Sequence, residues 1–318
     1  SGYPKLLQPW TILRQGRALF AQRHYDLVSS HDYGLFLNGI GAWLLTRGTG
    51  VPYVSEIHHV EGYPRAATVR ERMYCLIAKI YIRWMWRRAA AIRVVNSVEM
   101  PRLLVQLGVP AEKTLILPSL YIDFEIFHPI PGEPCQFDVL FVGRFVPNKG
   151  LFTLLEAVAA LQKTSLQVRL GLVGRGPLES AVQDKIQSLG LNDVTHIPRL
   201  EGAQEVARVY NRARMLVCAS TSEGGPRVTV EAMACAVPVI STPVGVMTEL
   251  LEDGVNGLLF HWDAHELANK IRRLLDDEAL AARLGEAGRQ SVQPFAAQRV
   301  IEQYARGYQA LAARKGTS

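Results

Sequence analysis

Six short apolar runs, near residues 138–143, 167–173, 194–197, 215–218, 237–241 and 257–260, alternate with helical segments through the second half of the chain. Such alternation implies a parallel, doubly wound α/β sheet, whose ligands bind beyond the carboxyl ends of the strands. The first half alternates too. Strand Tyr25 to His31 leads to a helix through Leu45, strand Pro52 to His58, a long helical stretch over 69–92, and strand Ala91 to Asn96. Helix Val98 to Leu107, closed by Gly108, and strand Thr114 to Leu117 follow. Ahead of Tyr25 the pattern is helical, with Ile12, Leu13, Leu19 and Phe20 as its apolar positions. The stretch His-Pro-Ile-Pro-Gly-Glu-Pro between Phe127 and Pro134 resists both helix and sheet and marks a linker. An amphipathic helix from Ala296 to Ala313, with Val300, Ile301, Tyr304 and Tyr308 on its apolar face, closes the chain. A length of 318 residues exceeds one ordinary core, so the expected division is 1–128, 129–294 and a terminal helix over 295–318.

Apolar residues at 48% and charged residues at 20% exclude disorder and fibrous repeats. The net charge of +6 is modest and its cations are unevenly placed, which points to a local anionic partner. No zinc pattern or nucleic-acid motif is present, so no nucleic acid is expected. Cys75, Cys135, Cys218 and Cys235 are scattered, three of them in apolar runs, and fit a reducing compartment. With neither a signal peptide nor a bilayer-spanning run, the expected location is the cytoplasm, with a peripheral place on the cytoplasmic face of the membrane left open.

Chemistry concentrates in Ser220 to Glu231, where Glu223 and Glu231 bracket Gly224 and Gly225 between an apolar strand and an alanine-rich helix. Amides at a helix start attract anions, and paired glycines admit a ligand close to the backbone, so the loop suits phosphate or crowded hydroxyls. A plainer reading makes both carboxylates mere helix-dipole partners. Strand 138–143 runs into Gly143-Arg144, and Lys149-Gly150 opens the next helix. A planar guanidinium and a mobile ammonium at one turn suit a diphosphate, although two solvated charges would look the same. Gly174-Arg-Gly-Pro177 lacks the third glycine of a dinucleotide fingerprint, which argues against a nicotinamide or flavin. It reads as a tight turn beside a nucleotide, or as a turn only.

Taken in order, Gly143-Arg144 with Lys149-Gly150, Gly174 to Pro177, Glu223 with Glu231, and Glu249 to Phe260 resemble the retaining GT-B glycosyltransferases of family 4. The resemblance implies two Rossmann-like domains facing a cleft, with the terminal helix over 295–318 returning to the first domain, and transfer of a hexose from a nucleotide-diphosphate sugar, UDP- or GDP-linked, to a hydroxyl acceptor, lipid-linked or part of a glycoconjugate. It implies no cofactor and no metal. Arg144 and Lys149 would hold the departing diphosphate, Glu231 the ribose hydroxyls and Glu223 the sugar, while amides around Gly224, Gly225, Arg227 and Val228 meet hydroxyls and phosphate. Pro198 and Arg199 follow the strand that borders the base, and Arg227 is not the residue expected at its place. Earlier, Tyr25 to His31 and Val51 to His58 are similar to two family strands, which assigns His58 to the donor sugar and makes it, with Glu223, Arg144 and Lys149, a catalytic candidate. His59 points to the opposite strand face, so one metal should not bind both histidines.

The family's first strand and glycine-rich loop find no counterpart before Tyr25, so the first domain is expected to be incomplete, and a partner chain completing it is one expectation. On that view the chain could be a partner-dependent nucleotide-sugar-binding subunit. A GT-B sugar-nucleotide epimerase is a third reading, disfavoured by the Glu-x7-Glu spacing. Finally, Arg72, Lys79, Arg83 and Arg87 fall near one helical face among Tyr74, Tyr81, Trp84 and Trp86. That mixture suits an anionic membrane carrying a lipid-linked acceptor; it equally suits a core helix with a solvated basic stripe.

Overall fold

The structure, a computed structural model, describes residues 5–313. Two compact units divide the chain, one of Ser1–Ser119 with Gln298–Ser318 and the other of Leu120–Ala297.

The first unit runs α1 (Gln8–Phe20), β1 (Val28–His31), α2 (Leu37–Thr46), β2 (Tyr53–Glu56), α3 (Val69–Met85), β3 (Ala91–Val94), α4 (Glu99–Gln106) and β4 (Thr114–Ile116). Its strands form one parallel sheet in the order β1-β2-β3-β4. Every residue of β2 and β3 is buried, as expected of strands covered on both faces. Close approach of α1 and α2 rests on glycine: a Cβ at Gly16 would lie 2.4 Å from the Leu45 side chain, and one at Gly41 would lie 2.9 Å from the Pro9 Cα. Leu19, one of the apolar positions of this helix, faces solvent. It is 52% exposed, whereas Gly16 is the α1 position pressed against Leu45 of α2. α3 stops at Met85, short of the expected 92, because the amides of Arg88 and Ala89 both bond the Met85 carbonyl and turn the chain into β3.

The second unit contains β5 (Val139–Val142), α5 (Leu151–Gln162), β6 (Leu170–Val173), α6 (Glu179–Ser188), β7 (Val194–Ile197), α7 (Ala203–Asn211) and β8 (Leu216–Cys218). It continues through α8 (Arg227–Ala234), β9 (Val239–Ser241), α9 (Met247–Leu250), β10 (Leu258–Leu259), α10 (Ala264–Asp276) and α11 (Glu278–Ser291). All six strands are parallel, in the order β7-β6-β5-β8-β9-β10. The order reverses between β5 and β8, and the crevice beyond their carboxyl ends is where such a sheet receives its ligand. Successive side chains on these strands enter two cores: Val139 and Phe141 pack with α5 and α10, while Leu140 and Leu216 pack with α7 and α8.

Residues 120–128 group with this second unit, ahead of the proline-rich linker stretch. Leu120, Ile122 and Phe127 are buried in its core and Ile122 bridges Ala296, whereas the prolines beyond them only turn the chain along the surface. The closing helix, α12 (Ala297–Ala313), belongs to the first unit. Its inward positions are Val300, Tyr304, Gly307, Tyr308 and Leu311, whereas Ile301, expected on the apolar face, is 59% exposed, one position round the helix from buried Val300.

Candidate active site

The two loops at the strand reversal are tied to each other. After β5 the chain passes Gly143 and Arg144 and reaches Lys149 and Gly150 at the start of α5. Gly150 adopts φ 66°, and a Cβ there would lie 2.0 Å from the Ala219 carbonyl oxygen, so the turn is pressed against the end of β8. Thr221 N–H donates to the Asn148 carbonyl at 2.8 Å, and the Asn148 amide donates to the Ser222 carbonyl at 3.0 Å. Across this seam Lys149 Nζ forms an ion pair with Glu223 Oε1, which also accepts from the Ser220 hydroxyl at 3.1 Å. The Ser220 carbonyl is itself held by Thr242 Oγ1 and by the Trp262 indole N–H. Arg144 is exposed and, among the described residues, forms no ion pair.

Gly174 and Gly176 act as spacers. A Cβ at Gly174 would lie 1.9 Å from the Gly143 carbonyl oxygen, and one at Gly176 2.5 Å from that of Phe145. The 174–177 turn therefore seats the Gly143-Arg144 turn directly, with the Phe145 N–H donating to the Arg175 carbonyl at 3.0 Å. Pro198 and Arg199 are exposed just beyond the edge strand β7.

Glu231 lies in the second turn of α8 and is buried. Tyr210 Oη donates to its Oε2 at 2.9 Å and Arg227 Nε to its Oε1 at 2.8 Å, with the Arg227 guanidinium over the Tyr121 ring. Burial pushes the Glu231 carboxyl up, and the Tyr210 hydrogen bond and the Arg227 charge only partly offset it. Gly225 packs near Leu120 and Val246, and the Gly224 carbonyl accepts from Val246 N–H. Val228 is half-buried at the start of the helix. Both carboxylates named from the sequence thus sit beside a cation, Glu223 with Lys149 and Glu231 with Arg227.

His58 belongs to the first unit, two residues past β2. Its partner is His31 from the end of β1, stacked at 4.0 Å between ring centroids, not its neighbour His59. His58 Nε2 lies 3.2 Å from an Arg93 guanidinium nitrogen and 3.4 Å from Glu56 Oε2. Arg93 is 2% exposed, pairs with Glu56, and donates to the Leu117 carbonyl at 3.0 Å. From α12, Tyr308 Oη donates to Glu56 Oε1 at 2.7 Å, and Tyr304 lies under the Arg93 guanidinium. Burial alone would raise the Glu56 carboxyl; hydrogen bonds from His58, Ser29 and Tyr308 and the Arg93 charge outweigh it and hold the group well below the usual carboxylate range. His31 is lowered by burial and by His58. Among the described residues no group of three or more His, Cys, Asp or Glu side chains is placed to hold a metal ion.

Glu56 and Arg93 escaped the reading of the sequence. Glu56 had a signal, since it shares a strand face with His58 at a spacing of two. Tyr210 and Trp262 had none, because each reaches the site from outside its motifs, whereas Asn148 stands beside Lys149 and only its partners Thr221 and Ser222 lie far along the chain.

A profile for the glycosyl transferases group 1 matches residues 123–291, more than half of the chain and the unit that holds both loops. The chain belongs to the group 1 glycosyl transferases. In this group 1 enzyme, residues 1–119 match a second profile, that of a glycosyl transferase 4-like domain. Among its relatives, the D-inositol 3-phosphate glycosyltransferase of Kineococcus radiotolerans is 30% identical over 333 residues, 94% of this chain and 75% of the relative. The MMP alpha-(1->4)-mannosyltransferase of Mycolicibacterium hassiacum is 28% identical over 331 residues, 99% of this chain and 77% of the relative. Among solved structures, sucrose-phosphate synthase from Thermosynechococcus elongatus superposes with a TM-score of 0.82 at 26% identity, covering 99% of this chain and 81% of that one. The Anabaena protein HepE, solved with UDP and glucose, shares the fold at a TM-score of 0.78 and 22% identity, covering 94% and 81%. The group 1 glycosyl transferase is thus a GT-B protein with two parallel-sheet, Rossmann-like domains.

Of the two readings of α3, the packing of its aromatics fits the core helix with a solvated basic stripe. Tyr81 is buried, and Trp84 packs edge-on to Trp43 at 5.0 Å under the Arg88 guanidinium, so these aromatics face inward, as the aromatics of a core helix do. Arg72, Arg83 and Arg87 are exposed and Lys79 half-buried. What α3 presents outward is aliphatic: Val69, Met73, Leu76 and Ile80, at helical spacing, are each more than half exposed. No helix among the described residues is long and apolar enough to cross a membrane.

Proposed function

We propose that this glycosyltransferase moves a hexose from a UDP- or GDP-sugar to a hydroxyl acceptor with retention at the anomeric carbon and without a metal ion. The observation that carries this reading is the Lys149–Glu223 pair at the strand reversal, with Arg144 exposed on the same loop. Arg144 and Lys149 supply positive charge where a β-phosphate accumulates negative charge as the glycosidic bond breaks, the electrostatic task that dominates such transfers. Once Lys149 turns to phosphate, Glu223 is released toward the sugar hydroxyls. Glu231, oriented by Tyr210, accepts from the ribose hydroxyls, and His58 contacts the donor sugar. The acceptor attacks the face from which the phosphate leaves and passes its proton to that phosphate, so no protein base is required. Two relatives act on a phosphorylated inositol and form an α-(1->4)-mannosyl linkage by name, and HepE binds UDP and glucose, which supports a nucleotide-sugar donor.

Calorimetric titration with UDP, GDP and ADP in chelator, followed by transfer assays with the matching sugar donor, tests the reading. Binding of UDP or GDP with turnover and α-linked product is expected; a strict metal requirement or an inverted product overturns it.

The aliphatic stripe of α3 beside Arg72 and Arg83 supports an acceptor presented at an anionic membrane. Leu76→Ser/Ile80→Ser should then abolish sedimentation with vesicles rich in phosphatidylglycerol while leaving donor binding unchanged.

A further inference from the structure

The first unit carries a second basic site at the opposite end of its strands from His58. The loop before β2, the turn before β3 and the residue before β4 line a pocket of about 400 Å³, and because these strands are parallel all three segments lie at their amino-terminal ends. His58 follows the carboxyl end of β2. Arg47, Arg87, Arg88 and Lys113 all line the pocket, and no carboxylate does.

Four cations in one pocket repel one another unless an anion joins them. Among the described residues none of the four forms an ion pair. Three are instead fixed by the chain around them. Lys113 Nζ donates to the Ala89 carbonyl at 2.9 Å, Arg87 to that of Arg83 at 2.9 Å, and Arg88 to that of Trp84 at 2.6 Å. Arg88 also stacks on Trp84, and Arg47 and Arg88 both lie 5.7 Å from the centroid of the Trp43 ring. Such contacts spend one guanidinium donor or none and leave the rest of each fork to a ligand. Holding cations in place beforehand also reduces the ordering cost of binding.

We propose that this pocket binds a phosphate ester, a ligand distinct from the sugar donor, at a site separate from the strand-reversal loops. Planar guanidinium forks grip phosphate oxygens in pairs while the Lys113 ammonium adds a point charge. The indole of Trp43 forms an apolar wall for the group the phosphate carries. A soluble phosphate ester and a phospholipid headgroup share this chemistry.

The test uses the whole chain and its Lys149→Ala variant, in which anion binding at the strand-reversal loops is impaired. Inorganic phosphate and glycerol phosphate are titrated calorimetrically, and sedimentation is measured with phosphatidylcholine vesicles with and without phosphatidic acid. Saturable binding that survives Lys149→Ala, weakens at least tenfold in Arg47→Gln/Lys113→Gln, and returns in Arg47→Lys/Lys113→Arg is the expected result. Arg23→Gln, an exposed cation elsewhere in the same unit, should change nothing. Binding in solution identifies a soluble ester, and binding only to phosphatidic acid vesicles identifies a headgroup. Absence of binding in both arms, or an equal loss in Arg23→Gln, overturns the proposal. Because Leu76→Ser/Ile80→Ser removes the α3 stripe and leaves the pocket intact, failure of membrane docking by α3 is read separately.

Discussion

Lys149 and Glu223 neutralise each other across two loops, with the lysine and glutamate side chains 18% and 15% exposed, so each reports on the other. Glu223→Gln keeps the shape and its contact with Ser220 but removes the charge. Donor affinity should hold within a few-fold while turnover falls about 100-fold, the scale of losing one transition-state contact. Lys149→Ala removes the cation proposed to meet phosphate and, on that proposal, should weaken donor binding and turnover together. Equal, minor losses in both variants would remove these residues from the site. Glu56 makes a second prediction, on stability. Its folded-state pKa lies below its unfolded value, so between the two the unfolded chain binds more protons and stability rises with pH. The contribution is complete above the ordinary glutamate pKa of about 4.3 and is lost as pH falls below it. Glu56→Gln should therefore melt at lower temperature near neutrality, because Arg93 is left buried and uncompensated, yet show a flatter fall in melting temperature between about pH 5 and pH 3. A parallel acid limb in wild type and variant would assign the acid sensitivity to other carboxylates.

Elements position these residues through backbone collisions that only glycine avoids. Gly174 at φ 130° has no room for a methyl group beside the Gly143 carbonyl, whereas Gly190 at φ 64° has nothing within 4 Å. Gly190→Ala should cost only backbone strain, about 1 kcal/mol, with donor binding intact. Gly174→Ala should cost several times more and weaken donor binding, since the Gly143-Arg144 turn must move; differential melting and donor titration of the two variants decide it, and equal costs would count against direct seating. The same elements show what the residues announced beforehand. β5 to β9 follow apolar runs bounded by glycine or polar turns, and the glycine and charge motifs fall at their carboxyl ends, so the second sheet and the Arg144, Lys149, Glu223 and Glu231 positions were legible. The composition of α3 left two readings open, because Tyr81 and Trp84 suit an interface or a core equally, and only the burial of Tyr81 and the contact of Trp84 with Trp43 show that they face the core. The helix α12 hid its function for a related reason: Tyr304 and Tyr308 are spaced as an apolar face, but their target, Glu56, lies about 250 residues earlier.

At the scale of the whole molecule, the chain leaves its first unit at Ser119 and returns to it at Gln298, so the second unit is continuous and the first is not. Both cores of the second unit, both strand-reversal loops, and the Ile122–Ala296 bridge near its two ends lie within Leu120–Ala297. Residues 120–297 expressed alone should therefore unfold in a single cooperative transition and bind the donor nucleotide within about tenfold of the whole chain. On the proposed function they should not transfer sugar, since the proposed role of His58 belongs to a residue they lack. The first unit depends on the chain's end. Without α12, Glu56 loses its Tyr308 hydrogen bond, Arg93 loses the Tyr304 ring, and Leu311 no longer covers Val54 and Ala91. Removing an apolar cover and one hydrogen bond to a buried charge costs on the order of 3–5 kcal/mol, a large share of the stability of a small domain. A 1–119 fragment should accordingly be degraded by protease under conditions that the whole chain survives, and a synthetic 297–313 peptide added in trans should restore resistance. A fragment that resists protease unaided would show that α12 is an accessory, and that the Tyr308–Glu56 contact contributes little to holding the first unit together.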